Sequence, residues 1–267
     1  MTTAANDNWA SGDAYEAYMG RWSRPMARSF LQWLDRAPQG NWLDVGCGTG
    51  ALTTAICDLC DPSSVTACDP SEPFVQHARG HISDARASFQ VAGAGDLPRR
   101  EGDFDAVVSG LVLNFIPDTT AAVAGMRERL RSGGTVAAYV WDYSDGMEFL
   151  RHFWDEAGAL DERARELSEG RRFPVCRPDA LQAIFAGAGL ALVETHALST
   201  PTHFSSIDDY WTPFLRGSGP APAFVASLTP EKRDELKERM RRRLPVRSDG
   251  SIHLDARAWA VRGELRP

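Results

Sequence analysis

The chain has 267 residues, 43% hydrophobic and 24% charged, with a formal net charge of -7. That length suits one large globular domain, or a domain carrying a substantial insert. The acidic balance speaks against a nucleic-acid partner held through phosphates; a polar start without a basic-then-apolar leader, and no apolar run near the ~20 residues of a bilayer span, predict a cytoplasmic protein with no membrane partner.

In chain order the pattern alternates helix and strand, as in a doubly wound sheet. Tyr15–Leu34 has a helical pattern with a break expected at Pro25. Asn41–Val45 predicts the first strand and Ala51–Leu59 its helix; Val65–Asp69 predicts the second strand and Glu72–His81 a helix opened by Pro70-Ser71. Ala87–Ala92 reads as a third strand. Phe104–Ser109 is a fourth, nearly all apolar and therefore expected to be covered on both faces. Thr119–Leu130 predicts a helix stopped by Ser132-Gly133-Gly134, and Thr135–Trp141 a fifth strand.

After that strand the pattern changes. Met147–Leu160 is amphipathic and rich in aromatics, and an Arg/Glu-rich helix follows to Gly170. A helix over Pro178–Ala188, closed by Gly189, and a sixth strand near Leu190–Leu198 resume the core. Ile207–Leu244 predicts two or three helices broken at Gly217-Ser218-Gly219-Pro220, and Ser251–Glu264 a closing strand antiparallel beside the sixth. The expected plan is one domain over 1–267: an N-terminal helical lid (1–36), a core (37–143), helical cap inserts (144–176 and 207–246), and the remaining sheet and helix of the core (177–206 and 249–265). Glu238–Arg243 is a basic run, read as the cationic end of a helix.

Five cysteines, Cys47, Cys57, Cys60, Cys68 and Cys176, have no regular spacing and sit in or beside apolar segments, which predicts reduced thiols. Cys57-Asp58-Leu59-Cys60 is half of a zinc pattern without its second half, so no metal is expected.

The chemistry concentrates in Leu43-Asp44-Val45-Gly46-Cys47-Gly48-Thr49-Gly50, an apolar strand, a glycine turn and then a helix. Such a turn brings backbone close to a ligand and points free helix N–H groups at it. Gly46, Gly48 and Ala51 also satisfy the dinucleotide fingerprint, so the loop alone leaves the cofactor open. Asp69, at the end of the second strand, stands where a carboxylate accepts hydrogen bonds from ribose hydroxyls, which indicates a nucleoside without choosing one.

The fourth strand with its sequel Leu111-Val112-Leu113-Asn114-Phe115, and the later Leu130-Arg131-Ser132-Gly133-Gly134-Thr135-Val136, resemble the ordered signature of class I S-adenosylmethionine-dependent methyltransferases. Tyr18-Met19-Gly20-Arg21-Trp22-Ser23, Val140-Trp141-Asp142-Tyr143, Phe153-Trp154-Asp155 and Ala258-Trp259-Ala260-Val261-Arg262-Gly263 resemble a bacterial subgroup of that family. The resemblance covers nearly the whole chain. It implies an α/β fold with a doubly wound, mostly parallel seven-stranded sheet, an antiparallel last strand and helical caps. It also implies S-adenosylmethionine as cofactor, S-adenosylhomocysteine as product and a small organic acceptor. A non-catalytic binding protein on the same fold, and an NAD-type oxidoreductase, are the alternatives; no Tyr-x-x-x-Lys set supports the latter.

Carried over position by position, the resemblance sets Gly46, Cys47 and Gly48 against the methionine part, Asp44 behind them toward its amino group, and Asp69 on the ribose. Pro70 and Ser71 fall at the sugar or adenine edge, with Leu111 also on the cofactor. Arg21 is assigned to the cofactor carboxylate. Ala92-Gly93-Ala94-Gly95-Asp96-Leu97-Pro98 matches the adenine loop, but Gly93 stands where the family carries an acidic residue. Ala94, Gly95 and Asp96 then remain as cofactor contacts. For the acceptor the expected residues are Tyr18, Trp22, Asn114, Trp141, Tyr143, Phe153, Tyr210 and Trp211. Asp142, His152 and His203 are candidate bases, needed only if the acceptor must lose a proton. A monomer or homodimer is expected.

Overall fold

The computed structural model describes residues 20–35, 39–100, 103–216 and 219–266. Among them, in chain order, come α1 (Arg21–Leu34), β1 (Asn41–Val45), α2 (Ala51–Leu59), β2 (Ser64–Asp69), α3 (Glu72–His81), β3 (Ala87–Val91), β4 (Phe104–Gly110), α4 (Thr119–Arg127), β5 (Leu130–Trp141), α5 (Glu148–Leu160), α6 (Glu169–Arg172), α7 (Pro178–Gly187), β6 (Ala191–Phe204), α8 (Ile207–Arg216), α9 (Pro220–Ser227), α10 (Pro230–Arg243) and β7 (Ile252–Glu264). Short 3-10 turns cover Leu113–Phe115 and Glu162–Glu166.

Seven strands form one sheet in the order β3-β2-β1-β4-β5-β7-β6. β1 pairs in parallel with β2 and β4, β2 with β3 and β4 with β5, while β7 runs antiparallel to β5. The fold class is the expected one. The winding reverses between β1 and β4, and the crevice beyond the carboxyl ends of strands at such a reversal is where ligands bind in open α/β sheets. Leu43, Val65, Val107, Val108 and Val136 have no exposure, as strands covered on both faces require. Burial of each such side chain contributes about 1.5–3 kcal/mol.

Four details differ from the sequence expectation, the first being that β6 runs on to Phe204 rather than ending near Leu198. Pro25 lies inside α1 without ending it, because the carbonyl it disturbs one turn earlier belongs to Arg21, the first residue of the helix. The helix begun at Thr119 ends at Arg127, because Leu130 is already paired with Phe104; Ser132-Gly133-Gly134 is an irregularity inside β5, where the register shifts, rather than a stop before it. The Arg/Glu-rich stretch before Gly170 is a 3-10 turn and a four-residue helix, not one long helix.

The chain divides into two compact units. The first holds 23–141, 175–198 and 258–266, and so the strands of the crevice. The second holds 20–22, 142–174 and 199–257, with α5 and α8–α10. Its interior is aromatic: Phe153 and Phe214 stack with centroids 4.3 Å apart, Phe149 and Phe214 at 4.6 Å, and Trp22 lies 4.9 Å from Phe149. No described helix is long and apolar enough to cross a membrane, and no cluster of three metal-ligating side chains occurs among the described residues. The five cysteines are free thiols.

Candidate functional site

β1 carries Asp44 to the crevice with no exposure, between Leu43 and Val45, which are both in the core. Its Oδ2 accepts a hydrogen bond of 2.6 Å from Thr53 Oγ1 in α2. Oδ1 is buried and has no donor. Burial, aided by the Asp69 charge and opposed by the Thr53 hydrogen bond, pushes its carboxyl up to about 7. A buried acceptor without a donor is costly, and a ligand ammonium group is a partner that would satisfy it.

The turn after β1 is held by backbone bonds from Gly46 and Cys47 N–H to the Cys68 carbonyl, at 2.8 and 2.9 Å. Gly46 has φ +75°, and a Cβ there would come within 2.5 Å of Val112 Cγ1, so this position admits glycine only. Gly48 has φ +53°, yet a Cβ there would meet nothing within 4 Å. Its backbone is left-handed while the space above it is open, as a ligand cradle requires. Cys47 is buried beside Asp44 and Asp69, and burial raises its thiol far above the usual range, so it remains protonated and unreactive.

Asp69 closes β2. Its Oδ2 accepts from Gly48 N–H at 3.0 Å and its Oδ1 from Ser71 N–H at 2.8 Å. Burial raises its carboxyl, and those two backbone donors partly offset the rise. A carboxylate has about four acceptor positions, so two remain for ribose hydroxyls. Pro70 is exposed and Ser71 half-buried; Ala94 is half-buried, and Gly95 and Asp96 are exposed. Leu111 follows β4 at φ +61°, with its N–H on the Tyr139 carbonyl at 2.8 Å. That left-handed conformation is strained for leucine and sits at the crevice. Asn114, in the 3-10 turn beyond, is buried with its Nδ2 unpartnered. Trp141 ends β5 with 2% exposure.

The remaining described candidates lie in the second unit. Arg21 pairs with Asp209 at 3.5 Å and stacks on Phe204 and Trp22. Trp22, Phe153, Tyr210 and Trp211 fill the aromatic interior, with Tyr210 Oη donating to the Phe149 carbonyl at 2.7 Å. Tyr143, half-buried beside Phe173, keeps accessible surface. Asp142 is buried and bound by Arg257, at 2.6 Å to Nη2 and 2.8 Å to Nε, and Arg257 also pairs with Asp145. A carboxylate so engaged is a structural anion rather than a base. His152 is half-buried with Nδ1 unpartnered, and burial beside Arg151 and Arg243 lowers its pKa; His203 is exposed, edge-on to His253 at 4.6 Å. Tyr18 lies outside the described residues.

Sequence reasoning missed Thr53, which holds Asp44, Val112, which sets the Gly46 contact, and Arg257, which holds Asp142. Thr53 left a signal: it is the one polar residue on the buried face of α2, among Leu52, Ala55, Ile56 and Cys57.

Residues 43–138, about a third of the chain, match a family model described as a methyltransferase domain. Among curated proteins it is 29% identical over 151 residues to the ubiquinone biosynthesis O-methyltransferase of Xanthomonas campestris pv. campestris, covering 51% of this chain and 62% of that one. It is also 29% identical over 128 residues to the trans-aconitate 2-methyltransferase of Deinococcus radiodurans, covering 48% of each. The chain thus spans less than two thirds of the length of these relatives. Among solved structures, the Haemonchus contortus phosphoethanolamine N-methyltransferase 2, in complex with phosphomonomethylethanolamine and S-adenosylhomocysteine, aligns with a TM-score of 0.59 at 18% identity, over 98% of this chain and 58% of that one. The YcgJ protein of Bacillus subtilis aligns with a TM-score of 0.60 at 16% identity, over 91% and 99%. At these identities the likeness is one of fold.

Proposed function

We propose that this chain transfers the methyl group of S-adenosylmethionine to a small organic acceptor. The observation that carries the reading is the buried, donorless Oδ1 of Asp44 beneath a glycine turn whose Gly48 faces open space. Asp44 would take the ammonium of the methionine part, the Gly46–Gly48 backbone would lie along it, and Asp69 would hold the ribose through its two remaining acceptor positions. When bound, the sulfonium supplies a methyl group already activated for displacement. The protein's part is therefore to hold the acceptor in line and to keep water out. Asn114 supports acceptor binding: its buried Nδ2 needs an acceptor atom, and an oxygen of the substrate is one. Among the candidate bases, His152 carries an unpartnered Nδ1, and burial lowers its pKa. An acceptor that is already nucleophilic needs none.

Small-molecule acceptors are favoured by the names of the curated relatives, one a ubiquinone biosynthesis and one a trans-aconitate methyltransferase. The test has two stages. Calorimetric titration with S-adenosylhomocysteine, with NAD as control, is expected to show saturable binding of the former alone. Transfer of labelled methyl to a panel of phenols, carboxylates and amines is then expected to label at least one. Binding of NAD alone refutes the cofactor assignment, and tight S-adenosylhomocysteine binding with no labelled product across the panel refutes catalysis on small acceptors.

A further inference from the structure

The segment leaving β3 is anchored at both ends. Ala92 N–H donates to the Asp69 carbonyl at 3.1 Å, and Leu97 is buried with its carbonyl accepting from Arg129 Nε at 3.1 Å. Between them Asp96 N–H closes a turn on the Gly93 carbonyl at 3.0 Å. The backbone is thereby fixed, but its side chains are bare. A Cβ at Gly93 would have Pro70 Cβ as its nearest neighbour, at 3.8 Å, and one at Gly95 would meet nothing within 4 Å. Ala94 adds a methyl group, and Val91, in register with Asp69, is 50% exposed and apolar. The first polar side chain after β3 is that of Asp96, exposed and beyond the turn. Pro70 and Gly93 therefore lie side by side next to the carboxylate assigned to the ribose, and residues 91 to 95 offer no acceptor side chain there.

We propose that this chain does not read the exocyclic amino group of the purine: the nucleoside is held through its ribose at Asp69 and through its ring face, and Gly93 is the position that sets purine specificity. The proposal rests on the cofactor assignment above. An amino group that faces no protein acceptor stays hydrated, and alkylating it costs no hydrogen bond. A Cβ at Gly95 meets nothing within 4 Å, so the bare loop leaves space for added methyl groups on that side.

Titration of the full chain with S-adenosylhomocysteine and with its N6,N6-dimethyl derivative tests this directly. Both are expected to bind, with Kd values within about threefold of each other, the span of a contact that is absent rather than lost. Gly93→Asp puts an acceptor beside Pro70, at a residue whose φ lies outside the left-handed region and whose Cβ meets only an ordinary contact. That variant is expected to favour the unsubstituted compound by about tenfold or more, the scale of a hydrogen bond to a charged acceptor. A wild-type preference of about tenfold for S-adenosylhomocysteine over the dimethyl compound overturns the inference and leaves the cofactor assignment standing. Failure of both compounds to bind the folded chain overturns both together.

Discussion

Asp44→Asn separates the charge of Asp44 from its shape. Burial carries this carboxyl from 3.8 to about 7, so the folded chain holds the proton where the unfolded chain has released it. Stability is then fullest below about pH 4 and falls as the pH climbs toward 7, by about 4 kcal/mol in all, and stays level above. Between pH 5.5 and pH 8.5 the part of that loss still to come is about 2 kcal/mol. Asparagine keeps an oxygen for the Thr53 hydroxyl and never ionises, although its buried amide N–H groups lack an acceptor, at a constant cost of about 1–3 kcal/mol. The difference in Tm between variant and wild type, ligand-free, should therefore move in favour of the variant by about 4–8 °C from pH 5.5 to pH 8.5. Asp69 is present in both proteins and largely cancels. Thermal melts at the two pH values measure this, and a difference in Tm that stays within about 1 °C across them refutes an ionising Asp44. In the same two proteins, S-adenosylhomocysteine should bind wild type more tightly as the pH rises through 7 and bind the variant weakly at both values, because only the carboxylate pairs with its ammonium group.

Asp69→Ala should weaken S-adenosylhomocysteine by about 1.5–3 kcal/mol, since it removes the ribose acceptor and the partner of Gly48 and Ser71 N–H; unchanged affinity in a folded variant would remove Asp69 from the site. Gly48→Val should cost about 1–2 kcal/mol of stability from its φ of +53° alone, because its Cβ meets no protein atom, while abolishing cofactor binding; urea unfolding and calorimetry separate the two effects. Arg257→Met strands the Asp142 carboxylate, 3% exposed, and should destabilise by about 2–4 kcal/mol in urea unfolding, reduced from a fully buried pair because Arg257 is partly solvated; equal melts for the variant and wild type would show that the pair is neutral.

The contrast between these residues explains what was legible in the sequence. Gly46, Gly48 and Asp69 sit in short runs whose backbone geometry is decided locally: a glycine turn after a strand, and a carboxylate at the end of the next strand in a parallel pair. The periodicities of 2 and 3.6 likewise located the strands along the chain and most helix limits. Where a distant partner competes with local propensity, the reading failed. Leu130 has a helical neighbourhood but pairs with Phe104, and Asp142 resembled a free carboxylate until Arg257, 115 residues on, reached it through an antiparallel β7 laid beside β5. The aromatics follow the same rule. Phe149 and Phe153, and Tyr210 and Phe214, are each four residues apart on their helices, which announces one buried face but not which surface covers it. The Tyr210 hydrogen bond to Phe149, across 61 residues, shows that the two helices cover each other. The residues proposed for the cofactor stand in local backbone patterns, which is why the sequence points to them. The residues proposed for the acceptor, Asn114 among them, carry no such local pattern: whether the Asn114 amide finds a partner depends on how its neighbours pack, and for that reason the acceptor must be found by assay.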